Sequence, residues 1–252
     1  MCYFNRLIVP VSHAFDIGDY RLHLPDQLAW ENPMRSGFEY GDWPIIVWSA
    51  MDRRPVMQIA HWEFLSPWSR TRQELEASRE KYNTLNAVGE NMLESRLYKD
   101  AALKRRCLVP SSGFFEWRHW KPKGAKKDLA FPYFIYLPDR PVFYIAGIWQ
   151  SWTDQETGEM LTGFAIVTTA ANELMEQVHN KKKRMPLILD ERLALEWISP
   201  GASPDRINEM VRTGYEAQKM KAYTIQKDFR TALDPVLAQE YPDLPELVNL
   251  CS

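Results

Sequence analysis

Cysteine, long apolar runs and net charge are all scarce in this 252-residue chain, and each shortage removes a class of answer. Cysteine occurs at three positions, Cys2, Cys107 and Cys251. That set has no metal-ligand spacing and is too sparse for a disulfide framework, so a reducing compartment is expected. No apolar run approaches the roughly 18 residues of a membrane span. The opening MCYFNRLIVPV is too short for a secretory signal and lacks its small-residue cleavage site, so a cytoplasmic location is expected. The net charge of −2 argues against broad nucleic-acid affinity while leaving room for a local basic groove. Internal repeats, low-complexity stretches and linkers are absent as well, and one domain over residues 1–252 is expected.

What is present is the composition of an ordinary globular chain, 45% apolar and 25% charged, with ten tryptophans. Tryptophan serves either core packing or stacking on flat ligands. Patterning predicts strands at 44–48, 56–60, 106–110, 113–117, 132–137, 142–149, 162–169 and 186–189. It predicts helices at 71–82, 91–106, 190–198 and 204–213, and one capped by Asn172 that runs to Val178. Residues 61–68 read as a loop bracketed by Trp62 and Trp68, 86–90 as a polar turn, 118–127 as a charged hairpin tip, and the chain after 222 as an irregular tail. The class is α+β, dominated by antiparallel or mixed sheet.

Four places carry chemistry. In Met1-Cys2, removal of the initiator leaves an α-amine and a thiol on one residue. The amine, with a reference pKa near ~8, can condense with an aldehyde, and the thiol can close on the imine to a thiazolidine. Holding both nucleophiles at one carbon makes the second step effectively unimolecular. Glu116, in Gly113-Phe114-Phe115-Glu116-Trp117, shares a strand face with Phe114. Facing inward it would favour the protonated carboxyl of a general acid; facing outward it would simply meet water. His179 follows a helix end and precedes a basic loop, which suits either proton transfer beside a phosphate-bearing ligand or helix capping beside a solvated charge run. Asn86 could orient a ligand or make a turn. Basic residues cluster at 104–106, 118–127 and 181–184 near Trp62, Trp68, Trp117 and Trp120, a composition that fits a single-strand groove or ordinary surface charge.

Taken in order, these segments resemble the SOS response-associated peptidase (SRAP) family. The resemblance rests on Met1-Cys2, His61-Trp62, Trp68, Asn86-Ala87 with Glu90, Arg106-Cys107-Leu108-Val109-Pro110 and Gly113-Phe114-Phe115-Glu116-Trp117. It continues through Ala146-Gly147-Ile148-Trp149, Thr168-Thr169-Ala170-Ala171-Asn172, and His179 with Arg184-Met185-Pro186. It implies a single α+β domain with a mixed or antiparallel, barrel-like sheet core flanked by helices, family motifs over 1–190 and C-terminal helices and tail over 190–252. It implies a thiazolidine crosslink between Cys2 and abasic sites in single-stranded DNA. In that scheme Glu116 is the acid/base, His179 promotes ring opening, and Asn86 holds Cys2 and the sugar. Trp68, Arg96, Thr168 and Arg184 are implied DNA contacts. It also implies autoproteolytic removal of Met1.

The chain departs from the family pattern in three places. Tyr3-Phe4 follow the cysteine where most members carry Gly-Arg, Val88 replaces an Arg, and four residues rather than one separate His179 from Arg184. Lys181, Lys182 and Lys183 of that insertion are expected to replace the missing phosphate contacts. No cofactor, metal or membrane partner is expected, and the protein is expected to act as a monomer. Two other readings remain: an N-terminal cysteine hydrolase acting on a small amide, and a non-catalytic single-strand binder. Only the reading that the SRAP resemblance implies requires a covalent adduct with abasic DNA.

Overall fold

The computed structural model describes residues 2–8, 14–24 and 34–248. Met1 and Cys251 lie outside the described residues. Strands and helices follow in chain order as β1 (Phe4–Arg6), β2 (Ala14–Ile17), β3 (Tyr20–His23), β4 (Met34–Ser36), β5 (Asp42–Ser49), β6 (Arg54–Trp62), α1 (Arg72–Ser78), β7 (Asn86–Val88), α2 (Lys99–Lys104), β8 (Arg106–Ser111), β9 (Gly113–Trp120) and β10 (Leu129–Tyr136). The second half contains β11 (Phe143–Thr153), β12 (Met160–Ala170), α3 (Glu173–Val178), β13 (Arg184–Pro186), β14 (Ile188–Leu189), α4 (Glu191–Ile198), α5 (Pro204–Arg212) and β15 (Lys221–Thr224).

Five of these strands close a ring. β6, β5, β8, β11 and β12 pair antiparallel in turn, and β12 returns to β6 in parallel through Gly163↔His61 and Phe164↔Trp62. A side chain at Gly163 would overlap the Glu63 carbonyl oxygen, so the closing contact needs glycine. Alternate residues along each strand go to two cores, as the period of a strand requires. Trp43, Ile45, Trp62, Val109, Ile145 and Phe164 join one core, while Ile46, Leu108, Ala146 and Val167 join another that α4 and α5 cover. A second sheet, in the order β15-β10-β9-β1-β4, packs its Phe114, Tyr133 and Ile135 into the first core. The class is therefore α+β, with a barrel-like ring and a few peripheral helices.

Several tryptophans are structural. Trp43, Trp62 and Trp197 are fully buried, and their indole N–H groups donate to Pro110, to Leu85, and to Cys107 and Gly147. Three local expectations are corrected. His61 and Trp62 end β6 rather than start a loop, because Trp62 stacks on Phe164 across the ring closure. Residues 86–88 are a parallel strand on β12 rather than a turn. Between 91 and 106 only Lys99–Lys104 is α-helical, because Tyr98 is drawn onto Phe64 and the Asn86 carbonyl instead of extending the helix. The tail is also less irregular than expected, since it opens on β15, which pairs with β10.

The basic run 104–106 is not a groove either. Lys104 and Arg105 pair with Asp100, and Arg106 is buried. Its guanidinium donates to the carbonyls of Ala102 and Leu103 in α2 and of Trp197 and Ser199 at the end of α4. Those are helix C-terminal acceptors, where a cation is favoured. Arg106→Leu should cost about 3 kcal/mol, because the carbonyls lose their donor. Thermal unfolding should therefore fall by roughly 6–12 °C; a shift within about 1 °C would show that the clamp contributes nothing.

Candidate active site

Cys2 sits two residues before the start of β1, the strand that lies between β9 and β4. It is fully buried, and its thiol donates to the Phe4 carbonyl at 3.7 Å. Burial, together with the nearby charge of Glu116, pushes the thiol well above its ordinary range. Glu116 lies on β9 opposite Tyr133 of β10 and is 3% exposed. The inward alternative thus holds, and burial raises its carboxyl to about 7.

His179 is the C-terminal cap residue of α3 and is 8% exposed. The helix is started by Asn172, whose Oδ1 accepts from Met175 N at 3.0 Å, as its sequence position predicts. The Nδ1 atom of His179 lies 2.7 Å from the Arg184 carbonyl. A carbonyl only accepts, so Nδ1 carries the proton and Nε2 keeps its lone pair. Nε2 faces Glu116 Oε2 at 3.8 Å. Burial lowers the imidazole to about 4. A neutral base and a carboxyl that holds its proton near neutral pH therefore face each other. Two hydrogen bonds fix this approach: His119 N donates to Asn180 Oδ1 at 3.0 Å, and Asn180 Nδ2 donates to the His119 carbonyl at 2.7 Å. Asn180 thus docks the turn after His179 onto β9.

Asn86 on β7 is 6% exposed, and neither atom of its amide has a hydrogen-bond partner. An unpaired buried polar group costs on the order of 1–3 kcal/mol, so this amide is suited to a ligand. Thr168 is fully buried on β12, its hydroxyl donating to the Ala87 carbonyl at 3.4 Å. Arg184 makes two bonds to Glu90, at 2.8 and 2.6 Å, and a third to the Thr168 carbonyl at 2.7 Å. Both residues are engaged inside the protein. Trp68 is 57% exposed, and the Arg96 guanidinium lies 5.8 Å from its ring centre. The two line a groove of about 820 Å³ with Lys81, Tyr82 and Tyr98.

The inserted lysines differ among themselves. Lys181 pairs with Asp128 at 3.3 Å and Lys183 with Glu176 at 3.4 Å. Lys182 is exposed and has no ion-pair partner among the described residues; its charge is felt by both Glu116 and His179. Asn180 and Tyr133 escaped the sequence reading, and Arg118 entered it only as the first residue of a basic cluster. Only the position of Asn180 directly after His179 could have flagged it. Among the described residues no group of His, Cys, Asp and Glu side chains could hold a metal ion.

The ring, the second sheet and the buried Cys–Glu–His cluster define an α+β protein with a thiol beside an acid–base pair. The chain belongs to the SOS response-associated peptidase (SRAP) family, whose model matches residues 36–232. Cys2 precedes that segment. The abasic site processing protein YoqW of Bacillus subtilis (strain 168) is 30% identical over 165 residues, covering 65% of this chain and 66% of the relative. The abasic site processing protein HMCES of Xenopus tropicalis is 26% identical over 170 residues, covering 60% and 47%. The chain thus spans a little under two thirds of the first relative and about half of the second. A protein of solved structure from Bacteroides thetaiotaomicron superposes with a TM-score of 0.71 at 33% identity, covering 82% of each chain. One from Bordetella bronchiseptica shares the fold, with a TM-score of 0.70 at 20% identity, covering 89% of this chain and all of that one.

The raised Glu116 carboxyl carries a stability signature. A group whose folded pKa exceeds its unfolded value stabilises below the unfolded value and loses that contribution as pH rises through the folded one. For Glu116 the window runs from the ordinary carboxyl value of 4.5 to about 7. Glu116→Gln should therefore unfold at the same temperature as the parent below pH 4.5 and at a higher one above pH 7. A difference independent of pH would mean that the carboxyl is not held neutral.

Proposed function

We propose that the chain captures abasic sites in single-stranded DNA as a covalent thiazolidine on Cys2, shielding the lesion during the response to DNA damage. The observation that carries this reading is the neutral His179 imidazole 3.8 Å from the Glu116 carboxyl, beside a fully buried Cys2. The names of the relatives support the abasic substrate. Removal of Met1 comes first, and the family description supports its being self-catalysed.

The steps balance without an added cofactor. The α-amine of Cys2 adds to the aldehyde of the ring-opened sugar, giving a carbinolamine. Glu116 protonates its hydroxyl, which leaves as water and yields the iminium ion, with Glu116 left as the carboxylate. The thiol then gives its proton to that carboxylate and adds to the iminium carbon, closing the ring on a neutral nitrogen. The raised pKa of the thiol suits this order, because a sulfur that stays protonated leaves first attack to the amine. The Asn86 amide, without partners in its buried position, is placed to hold a sugar oxygen. The exposed Trp68 ring beside Arg96 offers a base-stacking platform and a phosphate contact.

A denaturing gel tests the chemistry. The processed protein and an oligonucleotide with one abasic site should give a heat-stable band, and the undamaged strand none. Cys2→Ala should lose the band, since its amine can form only a hydrolysable imine. Glu116→Gln and His179→Ala should slow its formation by ~10²–10⁴-fold with little change in strand affinity. A stable adduct from Cys2→Ala would sink the proposal, and without any adduct from the intact protein the non-catalytic binder would stand.

The lysine insertion is testable separately. With Lys181 and Lys183 engaged by carboxylates, Lys182 is the one expected to meet a phosphate. Lys182→Ala should lower the log–log salt slope of single-strand binding by about 0.7. An unchanged slope would mean that the turn touches no DNA.

A further inference from the structure

Residues 233–248 lie beyond the segment that the family model matches. Yet this stretch is tied to both elements that carry the acid–base pair. Arg118, two residues after Glu116 on β9, donates through Nη1 to the Pro245 carbonyl at 2.6 Å. Gln177, two residues before His179 on α3, bonds the backbone of Val248 at both ends of its amide: Val248 N donates to Oε1 at 2.7 Å, and Nε2 donates to the Val248 carbonyl at 3.4 Å. Tyr241, Leu244 and Leu247 pack against the core that contains Cys2, and Tyr241 is fixed by its hydroxyl on the Ile225 carbonyl at 2.7 Å. The tail segment therefore bridges α3 and β9, as the Asn180–His119 bonds also do.

We infer that residues 241–248 form a brace that sets the distance between Glu116 and His179, with Arg118 and Gln177 as positioning residues. α3 has six residues, and its C-terminal end is held by the Asn180–His119 bonds, by His179 on the Arg184 carbonyl and by the tail. At 3.8 Å the pair lies beyond hydrogen-bond range, so a small movement decides whether a proton can pass. A misplacement on the order of 1 Å can cost ~10²-fold in rate. Arg118 is 9% exposed, and its buried Nε has no partner, so the Pro245 carbonyl is one of few acceptors that hold the guanidinium in place. The brace also keeps water away from the pair. Among the described residues, the ionisable groups around Glu116 are His179 and Lys182 from the α3 side, Cys2 and Tyr3 from the β1 run, Tyr133 from β10 and Arg118 on its own strand.

This inference rests on the acid–base role proposed above, and its test is chosen to separate the two. Gln177→Leu keeps the size of the side chain and removes both bonds to Val248; a second variant ends after Glu240. Crosslinking at saturating abasic oligonucleotide, affinity for the undamaged strand, and the NMR titration of the His179 imidazole are measured on each. Crosslinking should slow by about 10–100-fold while strand affinity stays within about twofold. The His179 titration should move up from about 4 as water reaches it. A merely structural loss would leave that titration in place in the folded fraction. The brace is overturned if Gln177→Leu leaves both rate and titration unchanged, or if either variant crosslinks faster, which would make the tail a cover instead. If the intact protein forms no adduct, the crosslink proposal fails, and the His179 titration alone still decides whether the brace exists.

Discussion

Strand β12 is paired along both edges, and the site is assembled on what those pairings hold. On one edge β11 gives way to β13 after Gly147↔Ile166. On the other, β6 gives way to β7, which places Asn86 opposite Ile166. β13 begins at Arg184, whose carbonyl fixes the His179 tautomer. Its guanidinium ties Glu90 back to Thr168. Breaking any one of these pairings would displace Asn86 or His179 relative to the sheet that carries Glu116. The glycine at the ring closure matters for the same reason, since β6 can reach β12 only where no Cβ intervenes.

Exclusion of water does the chemical tuning. Glu116 is pushed up and His179 is pushed down, and in both cases burial is the largest cause. Each shift favours the neutral form, so Glu116 keeps a proton that it can donate and His179 keeps a lone pair that can accept one. The same burial costs stability at high pH for the carboxyl and at low pH for the imidazole. The orphaned Asn86 amide adds to that cost. Polar groups held in the wrong protonation state, or without partners, mark a site kept for function at the expense of the fold.

Charge is arranged by folding rather than by sequence neighbourhood. Of the three basic clusters, Lys104–Arg106 dissolves into an ion pair network and a buried clamp on helix ends. Arg118 holds a tail carbonyl, and Arg184 is locked to Glu90. The exposed Trp68–Arg96 pair comes from segments that show no charge run at all.

Much of the framework was legible in the residues themselves. The β-type runs at 44–48 and 162–169 announce strands and Asn172 announces its helix, while Glu116 in an aromatic strand could face inward or outward until the fold decided. These signals are local, because period and capping act over a few residues. Tertiary structure decided the rest. Residues 86–88 became a strand because β12 offered an open edge, and Trp62 left its expected loop for Phe164. Asn180, Gln177 and Arg118 gained roles only when the chain brought β9, α3 and the tail together. The sequence alone supplied the candidate groups: the thiol of Cys2, the Glu116 carboxyl, the His179 imidazole and the Asn86 amide. Folding brought Cys2, Glu116 and His179 together and set their protonation, because distance and desolvation are properties of packing rather than of composition.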